Sequence, residues 1–168
     1  MEYYEELVNK YKRSAYFYAL GMVGSVEDAA DLSQEAFIRA YRSLKRFKPQ
    51  YKFKSWFFRI LTNLCISHLR RRGKRAEVST EDEKGATIPL PDDRFNPQLL
   101  LERRETMSQL WKALSELGAK HREIILLRDF QELSYQQIAE VLEIPIGTVM
   151  SRLHQARSRL REKMTGFL

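Results

Sequence analysis

The chain has 168 residues, 43% hydrophobic and 30% charged, which is enough to bury a core and excludes general disorder. Its 29 Lys and Arg against 22 Asp and Glu leave a formal charge of +7, favouring a polyanionic partner; a basic membrane-surface protein would fit that number too. No run approaches the ~18 apolar residues of a spanning helix, the opening MEYYEELVNK is not expected to be a signal peptide, and the single Cys65 excludes an internal disulfide and suits a reducing cytoplasm.

Seven Gly and five Pro, mostly outside the periodic segments, predict a mainly helical chain. Tyr4, Leu7, Val8, Tyr11, Ala15, Tyr18 and Ala19 recur at helical spacing over 3–20, and Gly21 to Gly24 is expected to break that helix. Ser25-x-x-Asp28 is a capping box for a second helix running to about Phe47. Its first half is acidic (Glu27, Asp28, Asp31, Glu35) and its second basic (Arg39, Arg42, Lys45, Arg46), an order that suits the helix dipole. A basic loop containing Pro49 leads to a third helix, about Lys54 to Arg72, with Phe57, Ile60, Leu61, Leu64 and Leu69 on its apolar side and Gly73 as the expected stop.

Residues 36–76 hold thirteen Lys or Arg and no Asp or Glu, interleaved with eight aromatics. Cations neutralise phosphates and exposed aromatic faces stack on unpaired bases. An ordinary basic helix pair whose aromatics fill a core is the plainer reading, and half of the aromatics are expected to be core. The charge asymmetry is harder to assign to scaffold, because solvated faces mix both signs.

Six acids (Glu77, Glu81, Asp82, Glu83, Asp92, Asp93) then meet only Lys84 and Arg94. With three Pro, one Gly and no periodicity, 76–97 reads as an extended acidic linker, too long for a loop inside one compact domain. Asn96-Pro97 is a good N-cap and N1 pair for a helix towards Leu117, and Gly118 separates it from a helix at about 120–130. Ser134-x-x-Gln137 caps a helix with Ile138, Ala139 and Leu142 inward; Glu143-Ile144-Pro145 makes a turn; and Gly147 opens a last helix with Val149, Leu153, Ala156 and Leu160 on one face. Two helices joined by a short turn, the second carrying Arg152, Arg157, Arg159, Arg161 and Lys163, describe a helix-turn-helix; a helical hairpin without a ligand is the plainer alternative.

Three of these segments, in this order, resemble the sigma-70 superfamily of bacterial transcription initiation factors, and the short length points to its extracytoplasmic-function group. They are the run Glu27 to Tyr41, the run Phe53 to Asn63 followed by Leu69-Arg-Arg-Arg72, and the run Leu133 to Leu142 with Pro145 to Leu153. The resemblance implies an all-α fold of two small helical domains: sigma domain 2 over 1–75 and a helix-turn-helix sigma domain 4 over 98–168. It implies binding to core RNA polymerase (beta and beta-prime subunits), recognition and melting of a −10 element, and reading of a −35 element. It further implies promoter DNA and an anti-sigma protein as partners, no cofactor, and a cytoplasmic location, with the anti-sigma protein able to hold the factor at the membrane face.

By that resemblance Asp31, Gln34, Glu35, Phe37 and Arg39 would meet the coiled coil of the largest polymerase subunit, although Phe37 fits a core position equally well. The loop Phe47–Lys54, which includes Phe53, is expected to pocket an extruded base while its Lys48, Lys52 and Lys54 meet phosphates; by the resemblance Asn63 would contact the melted strand, and Trp56 would support the loop, with base contact and a plain core anchor as its alternatives. Arg70, Arg71, Arg72, Lys74 and Arg75 would clamp duplex phosphates. Met150, Ser151, Arg152, His154 and Gln155, with Thr148, would face the major groove, and Arg157 and Arg159 the backbone. The acidic linker would pass near the RNA path as an RNA mimic, or be a solvated tether.

The chain departs from the family pattern at Ser67, where many members carry Asp, and at Met150 and Gln155, where basic residues are common. Two other function classes fit less of the chain. A stand-alone helix-turn-helix regulator leaves the basic aromatic stretch and the acidic face unused. An enzyme lacks a nucleophile–base pair or phosphate loop, and Cys65 with His68 supplies only two ligands towards a metal.

Overall fold

The computed structural model describes residues 1–50, 52–76 and 97–166, so the acidic linker, the Asn96 cap and Tyr51 lie outside the described residues. Among the described residues there are helices and no strand. Helix α1 spans Glu2–Val23, α2 Val26–Ser43, α3 Phe53–Ala76, α4 Pro97–Ser115, α5 Ala119–Ile125, α6 Tyr135–Leu142 and α7 Ile146–Thr165.

Several boundaries differ from the sequence expectation for local reasons. Gly21 does not break α1 but lies buried within it, where a Cβ would stand 2.8 Å from Trp111 and 2.9 Å from Leu126. The glycine permits a close helix approach, and the chain turns only at Gly24, at φ 73 with its N–H on Leu20 O. Of the capping box expected at the start of α2 the Ser25 half forms, its Oγ accepting from the Asp28 N–H at 3.3 Å, while the Asp28 carboxylate meets His68 instead. The helix then tightens into a 3₁₀ turn, Leu44–Arg46. Gly73 does not stop α3, which continues to Ala76, because without the left-handed φ that Gly24 adopts nothing turns the chain there. The helix expected over 120–130 is α5 followed by a π-helical turn, Leu126–Phe130.

The two halves share one core. Ala15, Tyr18, Ala19, Leu32, Ala36, Phe57, Phe58 and Leu61 fill the first half, while Leu114, Ile124, Leu127, Ile138, Val149 and Leu153 fill the second. All belong to a single continuous apolar cluster, with α1 against α4 and α5 and α3 against α6. Burial of each large side chain contributes roughly 1.5–3 kcal/mol. The Tyr18 hydroxyl, enclosed at 0% exposure, finds Thr62 Oγ1 at 2.7 Å, so its burial leaves no unmet polar group.

Polar contacts stitch the same seam. Arg122 Nη2 donates to Met22 O at 2.7 Å, Gln131 Nε2 donates to Ser14 O at 3.3 Å, Lys54 Nζ donates to Gln131 O, and Arg59 pairs with Glu143. The HTH half therefore lies directly on α3, the helix that carries the basic aromatic sequence.

Candidate nucleic-acid interface

One face of α3 is free of acids and rich in cations. Arg59, Asn63, Ser67, Arg70 and Lys74 recur every three or four residues and are exposed, as is Lys52 just before the helix, while the opposite side buries Phe57, Phe58, Leu61, Leu64 and Cys65. At its N-terminal end the aromatics form a half-buried cluster rather than a closed core. Phe47 lies 5.0 Å from Trp56 and 6.2 Å from Phe53, and Phe53 lies 5.7 Å from both Trp56 and Tyr11. Lys48 and Lys52 are exposed beside that cluster. Lys54 is partly enclosed, and its ammonium pKa is held below the ordinary lysine value by burial, against the pull of Glu132 and with the push of Lys10.

The basic run after Asn63 divides. Arg70, Arg71 and Lys74 project into solvent, whereas Arg72 Nη1 donates to Val23 O at 2.7 Å and so closes the end of α1. The side chain of Arg75 lies outside the described residues. His68 turns back to Asp28 Oδ2 at 3.2 Å, tying α3 to the start of α2.

On α2 the exposed stripe is Glu27, Asp31, Gln34, Ile38 and Tyr41. Glu35 and Arg39 hold each other at 2.8 Å, one turn apart. Phe37 points inward and stacks on Phe57 at 4.4 Å. The exposed apolar members of this face are Ile38 and Tyr41, which the sequence reading missed although their spacing from Asp31 and Gln34 would have found them.

In the second half Ser134 and Gln137 form the full capping box, with Gln137 N–H to Ser134 Oγ at 3.1 Å and Ser134 N–H to Gln137 Oε1 at 2.9 Å. Glu143 takes a left-handed φ of 55 to make the turn, and α7 starts at Ile146. Met150, Ser151, His154, Gln155 and Arg159 are exposed on α7, with Thr148 and Arg152 half-buried at the edge of that face. Arg157 is turned away: Asp129 binds it through both guanidinium edges, Nε to Oδ2 at 3.1 Å, and that bond raises its pKa above the ordinary value. A cleft of about 500 Å³ separates α7 from the start of α5, with Ser151, Arg152, Gln155 and Arg159 on one wall and Lys120 and His121 on the other. Burial, then Arg159 and Arg152, lower the His121 pKa. Lys120 and His121 escaped the sequence reading because only the fold brings them opposite α7.

The comparisons with known proteins agree with this arrangement. Residues 7–75 match the family described as sigma-70 region 2, and 107–160 match sigma-70, region 4. The chain is 33% identical over 165 residues to the ECF RNA polymerase sigma factor SigW of Bacillus subtilis, covering 96% of this chain and 88% of that one. This chain belongs to the extracytoplasmic-function sigma factors. It is 32% identical to the RNA polymerase sigma-H factor of Pseudomonas aeruginosa, over 98% of this chain and 88% of that one. The solved structure of the sigma factor RpoE in complex with the anti-sigma factor NepR from Bartonella quintana superposes with a TM-score of 0.80 at 25% identity, over 98% of both chains.

This sigma factor is thus a promoter-specific initiation factor that binds core RNA polymerase, and the stand-alone regulator is not favoured. Its one cysteine has no part in the exposed faces. Cys65 is fully buried, and burial pushes its thiol up to about 12, far from the thiolate that redox chemistry needs. Among the described residues no group of His, Cys, Asp and Glu could hold a metal ion, and no helix is long and apolar enough to cross a membrane.

Proposed function

We propose that the acid-free face of α3 and the aromatic cluster at its start hold the melted −10 strand, while α7 reads the −35 duplex. The observation that carries this reading is the combination at one helix end: half-buried aromatics Phe47, Phe53 and Trp56 within stacking reach of each other, beside exposed Lys48 and Lys52. An extruded base stacks on such a platform at a cost of roughly a few kcal/mol for unpairing, offset by ring contact and phosphate neutralisation. Asn63 lies further along the same exposed face, placed for the strand, and Arg70, Arg71, Lys74 and Arg75 hold duplex phosphates. Arg72 serves the protein at the end of α1. Domain 2 spans 1–75, the linker 76–97 and domain 4 98–168 in this reading, with the linker's acids set near the RNA path.

Asp31 and Gln34, with Glu35 and Arg39, form the polymerase-binding face of α2, extended by Ile38 and Tyr41. Phe37 supports it from beneath. On α7, Ser151, Arg152, His154 and Gln155 face base edges, and Arg159 with Lys120 and His121 faces the backbone. The factor acts by positioning and performs no catalysis itself. It works in the cytoplasm, and an anti-sigma protein of the kind bound to the Bartonella quintana relative holds it in check.

Promoter reading requires the two halves to part. Lys54 donates to Gln131 O in the packed form, and Arg59 is paired with Glu143, so these cations are not available to phosphates until α6 and the π-helical turn leave α3. A −10 and a −35 element also lie about 25 base pairs apart, roughly 85 Å at 3.4 Å per step, whereas α3, at 24 residues, is only about 36 Å long at 1.5 Å per residue. Permanganate footprinting of the reconstituted holoenzyme on its promoter tests the melting role. Unpaired −10 thymines with the parent chain, and their loss in Trp56→Ala with polymerase binding retained, is the expected result; undiminished melting in that variant and in Phe47→Ala would contradict it.

A further inference from the structure

The recognition helix presents two chemically different shoulders. Ser151, Gln155 and Arg159 line the cleft opposite Lys120 and His121, and Ser151 Oγ already donates to Thr148 O at 3.2 Å. On the other shoulder, Ile146 and Met150 lie one turn apart and are 42% and 50% exposed. Elsewhere in this half, among the described residues, the exposed large hydrophobic is Phe130, which leans on Trp111 at 5.6 Å. Met150 therefore stands out at the point of α7 where the promoter reading puts base contact.

We infer that Met150 is a specificity-determining residue that reads the C5-methyl of a thymine in the −35 element. The inference rests on the promoter reading above. The thioether side chain has no donor and only a weak acceptor, so it can match neither the amino groups nor the carbonyl and N7 acceptors of base edges. The major groove offers one apolar feature, the thymine methyl. Met also suits it physically, because an unbranched polarisable chain adapts to a small methyl projection. The surroundings identify the occupant as duplex DNA rather than an apolar protein surface: His154 and Arg161 continue the exposed stripe of Met150 along α7 at helical spacing, and docking an apolar partner there would desolvate them. A basic residue at the Met150 position would seek a guanine or a phosphate; Met selects an A·T pair with thymine on the contacted strand.

The test uses holoenzyme reconstituted from core polymerase and the full chain, bound to a promoter fragment on which it initiates. Each −35 thymine on either strand is replaced in turn by deoxyuridine, which keeps the pairing edge and removes only the methyl. The expected result is one position where replacement weakens binding about fourfold, the transfer value of one methyl group. That penalty disappears in Met150→Ala and persists in Met150→Leu. Insensitivity to deoxyuridine at every position, or a penalty of unchanged size in Met150→Ala, overturns the inference. Failure of the parent reading is recorded separately, as absence of promoter-specific initiation on the unmodified fragment.

Discussion

The guanidinium of Arg122 donates to Met22 O at 2.7 Å and, through its other amino group, to Leu117 O at 3.1 Å and Ser115 O at 3.3 Å. One side chain therefore closes the last turn of α1 and the end of α4, elements from opposite halves of the chain. A cation belongs at helix C-termini, where unpaired carbonyls concentrate negative potential. The residue is only 9% exposed, and burial lowers its pKa while the nearby Tyr18 and Glu123 act in the opposite direction.

Arg122→Met keeps the volume of the stem and removes the donors, leaving three carbonyls without a partner. With hydrogen bonds to charged groups worth roughly 1.5–3 kcal/mol net, offset in part because the buried charge is removed with its donors, the expected loss is about 3 kcal/mol. Urea denaturation measures it. A loss under about 0.5 kcal/mol would mean that this contact does not hold the halves together.

Gly21→Leu tests the same seam sterically. A leucine in an exposed helix would be favoured over glycine, yet here even the first carbon meets Trp111 and Leu126 at under 3 Å. The expected outcome is a loss of about 1–3 kcal/mol, with Trp111 fluorescence shifted to the red as its surroundings open to water. A stabilised chain with unchanged Trp111 emission would contradict the packing described.

Glu123 gives the stability a pH dependence of definite sign. Its carboxyl is 6% exposed, and burial raises its pKa to about 7 from 4.5, against the opposing pull of Arg152, Lys120 and Arg122. The folded state holds the proton more tightly than the unfolded one. This contribution is complete below about pH 4.5 and lost as pH rises through about 7. Glu123→Gln should therefore gain stability relative to the parent between pH 5 and 8, by up to about 3 kcal/mol at one pKa unit per 1.36 kcal/mol. A difference between the two proteins that stays flat over that range would show that the carboxyl is not desolvated.

Much of this was legible in the sequence, and the remainder failed for identifiable reasons. The α6–turn–α7 unit is specified locally: Ser134 and Gln137 cap it, and the apolar spacing of Ile138, Val149 and Leu153 needs no distant partner. Gly21 and Gly73 misled because a glycine's meaning depends on what approaches it. Gly21 admits a neighbouring helix, Gly73 faces open space, and of these three Gly24 is the one that turns the chain. The core half of the aromatics was anticipated, as Phe57 and Phe58 show, but which of Phe37, Ile38 and Tyr41 faced out depended on helix rotation. Charge counting also could not tell Arg70 from Arg72, or Arg159 from Arg157, since Val23 O and Asp129 are supplied by other elements.

That division among the arginines is measurable. Arg70→Ala and Lys74→Ala should each reduce the slope of log affinity against log salt for holoenzyme on promoter duplex by about 0.9, with the fold unchanged. Arg72→Ala should instead lower the melting temperature of the free chain. Equal salt slopes in the parent and the Arg70 and Lys74 variants would remove these residues from the phosphate contacts.

The most direct measurement is run-off transcription by purified core RNA polymerase on fragments of the chain's own genome, with and without the full chain. Discrete promoter-specific transcripts should appear only when both are present, and should weaken when Asp31 and Gln34 on α2, or Phe47 and Trp56 at the start of α3, are replaced by Ala. Tight promoter binding by the chain alone, with no transcript from any fragment in the presence of core polymerase, would contradict the initiation role.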